Sequence, residues 1–283
     1  MLTVLESLKL STDYLEKKGI ESPRLNAELL LADILNCKRI DLYLKFDQPL
    51  KEDEIDKYRE WISRRGKYEP LQYLTGKVEF YGLNFKVTPD VLIPRPETEI
   101  LVEEVIKYCK DKPGLKILDI GTGSGNIPVA LMKNTSGNEM VSLDVSSNAL
   151  EIARYNAALN GIGEEIKFIL SDINYFNAEP GQFDIIVSNP PYISLKEYAD
   201  LQKEITGHEP LIALTDSNDG LDFYRIIAEK SKILLKRGGH IFLEIGQGQK
   251  EEVEKILSLN NFTNIIFIRD YQQIERIAIG EMK

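Results

Sequence analysis

The sequence predicts an α/β protein: a mostly parallel sheet of seven strands with helices on both faces, preceded by a small helical domain and a β-hairpin linker. Three observations predict it. From Lys116 onward, short apolar runs alternate with amphipathic stretches almost to the end of the chain, the pattern of repeated strand and helix units. The first run leads into Gly121-Thr122-Gly123-Ser124-Gly125, a glycine turn suited to joining a strand to a helix. Residues 1–75, in contrast, carry their apolar residues at helical spacing.

Within residues 1–75, Leu5, Leu8, Tyr14 and Leu15 recur at helical spacing, and Gly19 is placed to end that helix. Ser22-Pro23 opens a second helix in the order cap then proline, with Leu25, Leu29, Leu30, Ile34 and Leu35 as its apolar face. A third follows Leu50 and carries Ile55, Tyr58, Trp61 and Ile62 up to Arg64-Arg65-Gly66. The two arginines read as a solvated helix end, with contact to an acidic partner as the other reading. Residues 76–90 are expected to form the linker, because Val78–Val87 reads as two short strands around a glycine turn.

The larger domain is expected over residues 91–283. In Leu92-Ile93-Pro94-Arg95-Pro96-Glu97-Thr98-Glu99 the two prolines hold Arg95 in a stiff, extended loop suited to lining a pocket, and Thr98 leads into a helix over 100–108. Strands follow at 116–119, 140–145, 166–170, 183–187, 240–245, 265–269 and 277–281, with helices at 127–133, 147–159, 221–235 and 249–259. Repeated strand and helix units predict a parallel sheet covered on both faces, with right-handed crossovers. The absence of a helix between the last two strands predicts an antiparallel final hairpin.

The chain has 283 residues, 43% of them apolar, and a net charge of −10. No block of lysine and arginine stands out, which weighs against a protein that grips nucleic-acid phosphates. Two cysteines and two histidines exclude a cysteine framework or a histidine-rich metal centre, so no metal is expected. His208 and His240 read as structural. The amino terminus lacks a basic segment followed by an apolar core, and no run of about 18 apolar residues occurs. The expected location is cytoplasmic.

Two stretches carry chemistry. In Asp119-Ile120-Gly121-Thr122-Gly123-Ser124-Gly125, alternate glycines let a ligand approach backbone N–H groups closely. The spacing differs from the Gly-x-Gly-x-x-Gly of dinucleotide sites, and Asp119 suits a ligand's amino group better than a pyrophosphate. Asp144 stands at the end of the next strand, where it either accepts the two ribose hydroxyls or caps the following helix. Asp172 either takes an adenine amino group or caps a turn. Together these residues favour S-adenosylmethionine over a nicotinamide cofactor.

The second stretch is Asn189-Pro190-Pro191-Tyr192, at the carboxyl end of a buried strand. Consecutive prolines forbid both helix and ladder, so the loop is rigid. The Asn189 side-chain oxygen and the Pro190 carbonyl are a pair of acceptors for a planar NH2 group, and Tyr192 offers an aromatic face on which an amide or base stacks. A plain proline-rich turn is the other reading. Glu209 and Glu244 are candidate pocket residues, Glu244 equally a partner for a helix cap.

These motifs resemble those of the protein-glutamine N-methyltransferases that modify peptide-chain release factors (PrmC/HemK type). The resemblance runs nearly end to end, through Arg64-Arg65, Glu69-Pro70-Leu71-Gln72-Tyr73, Glu79-Phe80-Tyr81-Gly82-Leu83, residues 92–99, 119–125 and 189–192, Glu209-Pro210 with Ala213-Leu214, and Glu244-Ile245-Gly246-Gln247-Gly248-Gln249. It implies a Rossmann-like class I methyltransferase domain over 91–283 and a helical domain over 1–75 that helps bind the release factor. It implies S-adenosyl-L-methionine as cofactor, held by Gly121, Thr122, Gly123, Ser124, Gly125, Asp144, Asp172, Ile173 and Asn189. The substrate loop is Asn189, Pro190, Pro191 and Tyr192, with Asn189, Pro190 and Tyr192 as catalytic residues. One departure is visible: Tyr271-Gln272-Gln273-Ile274 stands where the family tends to have a glycine-containing turn.

The reaction expected is direct transfer of a methyl group to a glutamine side-chain nitrogen. Release factors are the implied partners; no nucleic acid or membrane partner is expected, and a monomer is the expectation. The nearest alternative is an adenine-amino methyltransferase acting on DNA or RNA, which calls for a basic groove and a larger recognition domain. A non-catalytic cofactor-binding module is a third reading, and it would not need Asn189 and Tyr192 beside the donor pocket.

Overall fold

A computed structural model describes residues 2–283 and divides them into two compact units. The first runs to Lys77 and takes in Gln202–His208 from much later in the chain. It is not the contiguous 1–75 expected from sequence. Helix α1 (Val4–Lys17) starts at Thr3, whose hydroxyl accepts from Glu6 N while the Glu6 carboxylate takes the Thr3 N–H. Gly19, at φ +74°, ends it as expected. Helix α2 (Pro23–Ile34) has proline in its first turn, but Ser22 makes no cap through its side chain; Asn26 Nδ2 instead bonds the Glu21 and Ser22 carbonyls.

The faces that these helices bury differ from the expected ones. Val4 and Leu15 are buried on α1 while Leu5 is half exposed, and on α2 the core takes Ala27, Leu30 and Leu31 while Leu25 and Leu29 face outward. Helix α3 (Glu52–Arg65) buries Tyr58, Trp61 and Ile62 as its spacing predicts, and Tyr58 donates to the Ala27 carbonyl at 3.0 Å. Its end is only partly solvated: the Arg64 side chain is 41% exposed, bonded to Glu60 and Glu69, while Arg65 is buried. Arg65 is 6% exposed and donates to Asn26 Oδ1 at 2.7 Å, the Glu69 carbonyl at 3.0 Å and Glu204 at 2.7 Å. Three acceptors are what a buried guanidinium requires. A short helix, α4 (Leu71–Thr75), follows.

The second unit spans Val78–Leu201 and Glu209–Lys283. Strands β1 (Lys77–Phe80) and β2 (Leu83–Lys86) form the expected hairpin, with Tyr81 and Gly82 both at positive φ as a two-residue turn of this twist demands. The hairpin is no free linker. Phe80 and Phe85 meet edge to face, with ring centroids 6.0 Å apart, and are fully buried in the same core as Leu101 and Val105 of α5 (Pro96–Cys109).

The chain then builds β3 (Lys116–Ile120), α6 (Asn126–Asn134), β4 (Glu139–Asp144), α7 (Ser147–Leu159), β5 (Ile166–Leu170) and β6 (Phe183–Ser188). Short helices α8 (Leu195–Tyr198) and α9 (Lys203–His208) lead to α10 (Asp222–Leu234), β7 (Leu235–Glu244), α11 (Lys250–Leu259), β8 (Phe262–Arg269) and β9 (Glu275–Met282). The seven-stranded sheet has the order β5-β4-β3-β6-β7-β9-β8. All pairings are parallel except those of β9, which inserts antiparallel between β7 and β8. Its middle strands are apolar on both faces, as a sheet covered on both sides requires. Strand order reverses direction between β3 and β6, which places a crevice at their carboxyl ends.

Strand β7 begins five residues before its expected start and β8 three before, while α10 ends at Leu234. At the 270–274 turn Asp270 replaces the missing glycine architecture. Its Oδ1 accepts from Gln272 N at 2.8 Å and Ile274 N at 3.0 Å, and Gln273 takes φ +64°. The final antiparallel hairpin forms as expected.

Candidate active site

At the crevice, β3 and β6 run side by side in parallel, with Ile120 opposite Ser188, and the Ser188 hydroxyl donates to the Ile120 carbonyl at 2.7 Å. The next residues of the two strands, Gly121 and Asn189, are therefore neighbours. Both line an open cavity of about 410 Å³, which also takes in Gly123, Asp144, Asp172, Ile173, Pro190 and Pro191. Segments 89–92 and 210–213 supply further wall. The loop from Leu92 is expected from sequence to line a pocket and Glu209 to belong to one; Leu92 does line the cavity, and Glu209, outside the lining, accepts from the Arg95 guanidinium and from Ile93 N.

The glycine turn is shaped to leave room. Gly121 and Gly123 have φ of +76° and +53°, and a Cβ on either would meet nothing within 4 Å, so the space a side chain would take stays open to a ligand. Gly125 serves otherwise: it starts α6, and a Cβ there would lie 3.0 Å from the Ala153 Cβ of α7. Thr122 and Ser124 are buried behind the turn, 2% and 1% exposed. The structure thus brings Gly121 and Gly123 to the cavity and keeps Thr122, Ser124 and Gly125 out of its lining.

Asp144 does not cap α7; Ser146 does, accepting from Ala149 N. The two Asp144 oxygens instead accept one backbone N–H each, from Gly123 at 2.8 Å and Ser146 at 2.9 Å, while burial raises its pKa. Each oxygen keeps lone pairs for a diol. Asp172 combines its two readings, closing a turn through Asn174 N at 2.8 Å and lining the cavity. Asp119 is fully buried, and neither carboxylate oxygen makes a hydrogen bond; burial pushes its pKa up to about 7. Asp119 is not part of the cavity lining, so the structure does not bring it against a ligand's amino group; the open glycine cradle and Asp144, which do line the cavity, leave room and acceptors for an amino-acid-bearing nucleoside.

Asn189 Nδ2 donates to Thr98 Oγ1 at 3.1 Å, and Thr98 donates to Glu244 Oε2 at 2.6 Å. Tyr192 lies outside the cavity lining, and its hydroxyl donates to Glu244 Oε1 at 3.2 Å, which fastens the loop. Gln249 Nε2 holds the Tyr192 carbonyl at 2.9 Å. Glu244 is 1% exposed, and burial pushes its carboxyl up to about 7. Thr98 sits inside α5 and does not cap it. The signal available in the sequence was a glutamate closing the apolar strand run Ile241-Phe242-Leu243, since a carboxylate there is buried and requires partners.

Comparison with known proteins bears on this geometry. Residues 6–76 match the family model described as PrmC N-terminal domain, and residues 96–208 match that described as methyltransferase small domain. A release factor glutamine methyltransferase of Fusobacterium nucleatum is 39% identical over 98% of this chain and 78% of its own length. One of Geobacter sulfurreducens is 40% identical over 99% of this chain and 97% of its own. The crystal structure of ribosomal protein L11 methylase from Lactobacillus delbrueckii subsp. bulgaricus overlays on 70% of this chain and 84% of that one, with TM-score 0.50 at 23% identity, a likeness of fold.

Proposed function

The chain belongs to the release factor glutamine methyltransferase family, and on that premise we propose that it methylates the side-chain amide nitrogen of the glutamine in the Gly-Gly-Gln motif of peptide-chain release factors. It is a methyltransferase whose cofactor is S-adenosylmethionine, which when bound supplies an electrophilic methyl group. Asp144 would hold the ribose hydroxyls, Ile173 the base, and the 121–123 turn the amino-acid portion. Asn189 would face the reacting carbon and hold the substrate.

A carboxamide nitrogen is a poor nucleophile because its lone pair is delocalised into the carbonyl. Asn189 Oδ1 and the Pro190 carbonyl, one on each amide hydrogen, aim that lone pair, and positioning of this kind supplies on the order of 7–11 kcal/mol. Asn189 and Pro190 hold the amide in line with the methyl carbon that the bound donor would supply to this nitrogen, the electrons of the sulfur–carbon bond staying with the donor. The proton the nitrogen then carries is acidic enough to leave to water, so no histidine is required. The observation that carries the reading is the bond from Asn189 Nδ2 to Thr98, which commits the NH2 end of that side chain and leaves its oxygen as the acceptor for substrate. The same reading takes the protein as a cytoplasmic monomer.

The experiment offers purified enzyme and labelled methyl donor to a release factor with its Gly-Gly-Gln loop, to the same factor with that glutamine replaced, and to bulk DNA and RNA. Label is expected in the first alone. Label in DNA or RNA, or in the glutamine-replaced factor, overturns the proposal.

A further inference from the structure

We propose that Glu244 and Thr98 are positioning residues that decide which end of the Asn189 carboxamide is offered to substrate, through the bonded series Glu244, Thr98, Asn189. This rests on the reading of Asn189 as an amide acceptor. The hydrogens available along the series fix the choice. In its ionised form, above a pKa that burial raises to about 7, the Glu244 carboxylate accepts hydrogen bonds and has none to give, so the single Thr98 hydroxyl proton then goes to Glu244 Oε2. Thr98 Oγ1 is left with lone pairs only. Of the two ends of Asn189, the NH2 alone can satisfy them, and it does, at 3.1 Å. The opposite orientation would set oxygen against oxygen with no proton between.

Burial sharpens the preference. Thr98 and Glu244 are each 1% exposed, so water does not stand in for a wrong partner. Glu244 also takes the Tyr192 hydroxyl on its other oxygen, so one carboxylate holds both ends of the Asn189–Tyr192 loop. Its surroundings are of mixed sign: Glu97 of α5 opposes its charge and Arg276 of β9 favours it, while Tyr224 of α10 bonds its main-chain carbonyl. A buried carboxylate without an ion pair is a poor source of stability. Setting the polarity of the next two bonds is something an apolar residue could not do.

The test compares Thr98→Val, which keeps the shape and removes both bonds, with Thr98→Ser, which keeps the bonds. With intact release factor as substrate, Thr98→Val is expected to lower kcat ten- to hundredfold with donor affinity within about threefold of wild type, and Thr98→Ser to restore kcat to within about threefold. In nitrogen-15 spectra the Asn189 side-chain NH2 pair, assigned by its loss in Asn189→Ala, is expected to be exchange-protected in wild type and Thr98→Ser and unprotected in Thr98→Val. Should Thr98→Val not fold, Thr98→Ala is read in the same way. Unchanged kcat in Thr98→Val, equal losses in Val and Ser, or an NH2 pair indifferent to Thr98 overturns the proposal. A wild type that fails to label release factor overturns the function instead, and the NH2 pair still decides the polarity.

Discussion

Asn189 is short and uncharged, and its use in an amide-binding site lies in presenting an oxygen at a fixed place. Asn189→Ala removes that oxygen and leaves the glycine turn and Asp144 as they are. Turnover is expected to fall by about two orders of magnitude while donor affinity, measured by calorimetry, falls only a few-fold. Collapse of donor binding with turnover preserved would reassign the residue to the cofactor. Asn189 was legible because its motif is contiguous. Its supports were not: Thr98 and Glu244 lie 146 positions apart and meet only once α5 packs on the sheet beside β7. Glu244 also makes a prediction of its own. Its folded pKa is raised from 4.5 to about 7 by burial, so between those values the folded chain keeps a proton that the unfolded chain has lost. Stability from this group therefore falls as pH rises through that window. Asp119, raised from 3.8 to about 7, acts in the same direction. Thermal melts from pH 5 to pH 8 are expected to show a smaller fall in Tm for Glu244→Gln than for wild type; parallel falls would refute the assignment.

At the scale of elements, periodicity located the strands and helices but not the side of each helix that turns inward. On α2 apolar residues surround much of the helix, so Leu25 and Leu29 fitted the pattern as well as Ala27 and Leu31, and the packing of α1 and α3 made the choice. The early start of β7 was illegible for a different reason: Lys236-Arg237-Gly238-Gly239 has no apolar alternation, and the ladder extends there through Leu235 opposite Phe183. The β8–β9 turn was flagged by its missing glycine, and the cause of tolerance is now visible. Asp270 fastens the turn through two backbone N–H groups and takes Arg276 Nε at 3.2 Å, so Gln273 is held at a positive φ that an L side chain resists. Gln273→Gly relieves that strain at some cost in unfolded-state entropy, a net gain of about 0.5–1 kcal/mol. A rise in Tm of a few degrees is expected, with activity unchanged. A fall in Tm would mean that the Gln273 side chain supports the turn.

At the scale of the molecule, the chain enters its helical unit twice, and no contiguous reading of sequence finds the second entry, because Gln202–His208 belongs there through Glu204 on the buried Arg65. The proposed role of that unit is to bind the release factor away from the reacting glutamine. Such remote contact stabilises the encounter without touching the amide, so it should appear in KM for a whole protein substrate and vanish for a peptide. The unit has a surface suited to it: a hollow of about 230 Å³ lined by Leu5, Leu8, Leu42, Tyr43 and Phe46. Glu28 and Arg24 complete its lining, and Glu28 is bonded by Arg24 at 2.8 Å, Arg39 at 2.9 Å and Tyr43 at 2.8 Å, so the apolar walls adjoin a charge cluster with one more cation than anion. Phe46 is 47% exposed, and Phe46→Asp puts a charge on that wall without opening the core. KM for intact release factor is expected to rise about tenfold, equivalent to about 1.4 kcal/mol, while kcat/KM for a short Gly-Gly-Gln peptide stays at the wild-type value. A variant that handles the intact factor as well as wild type does would remove the hollow from the recognition surface; one that loses the peptide as well would show that the substitution had reached the active site.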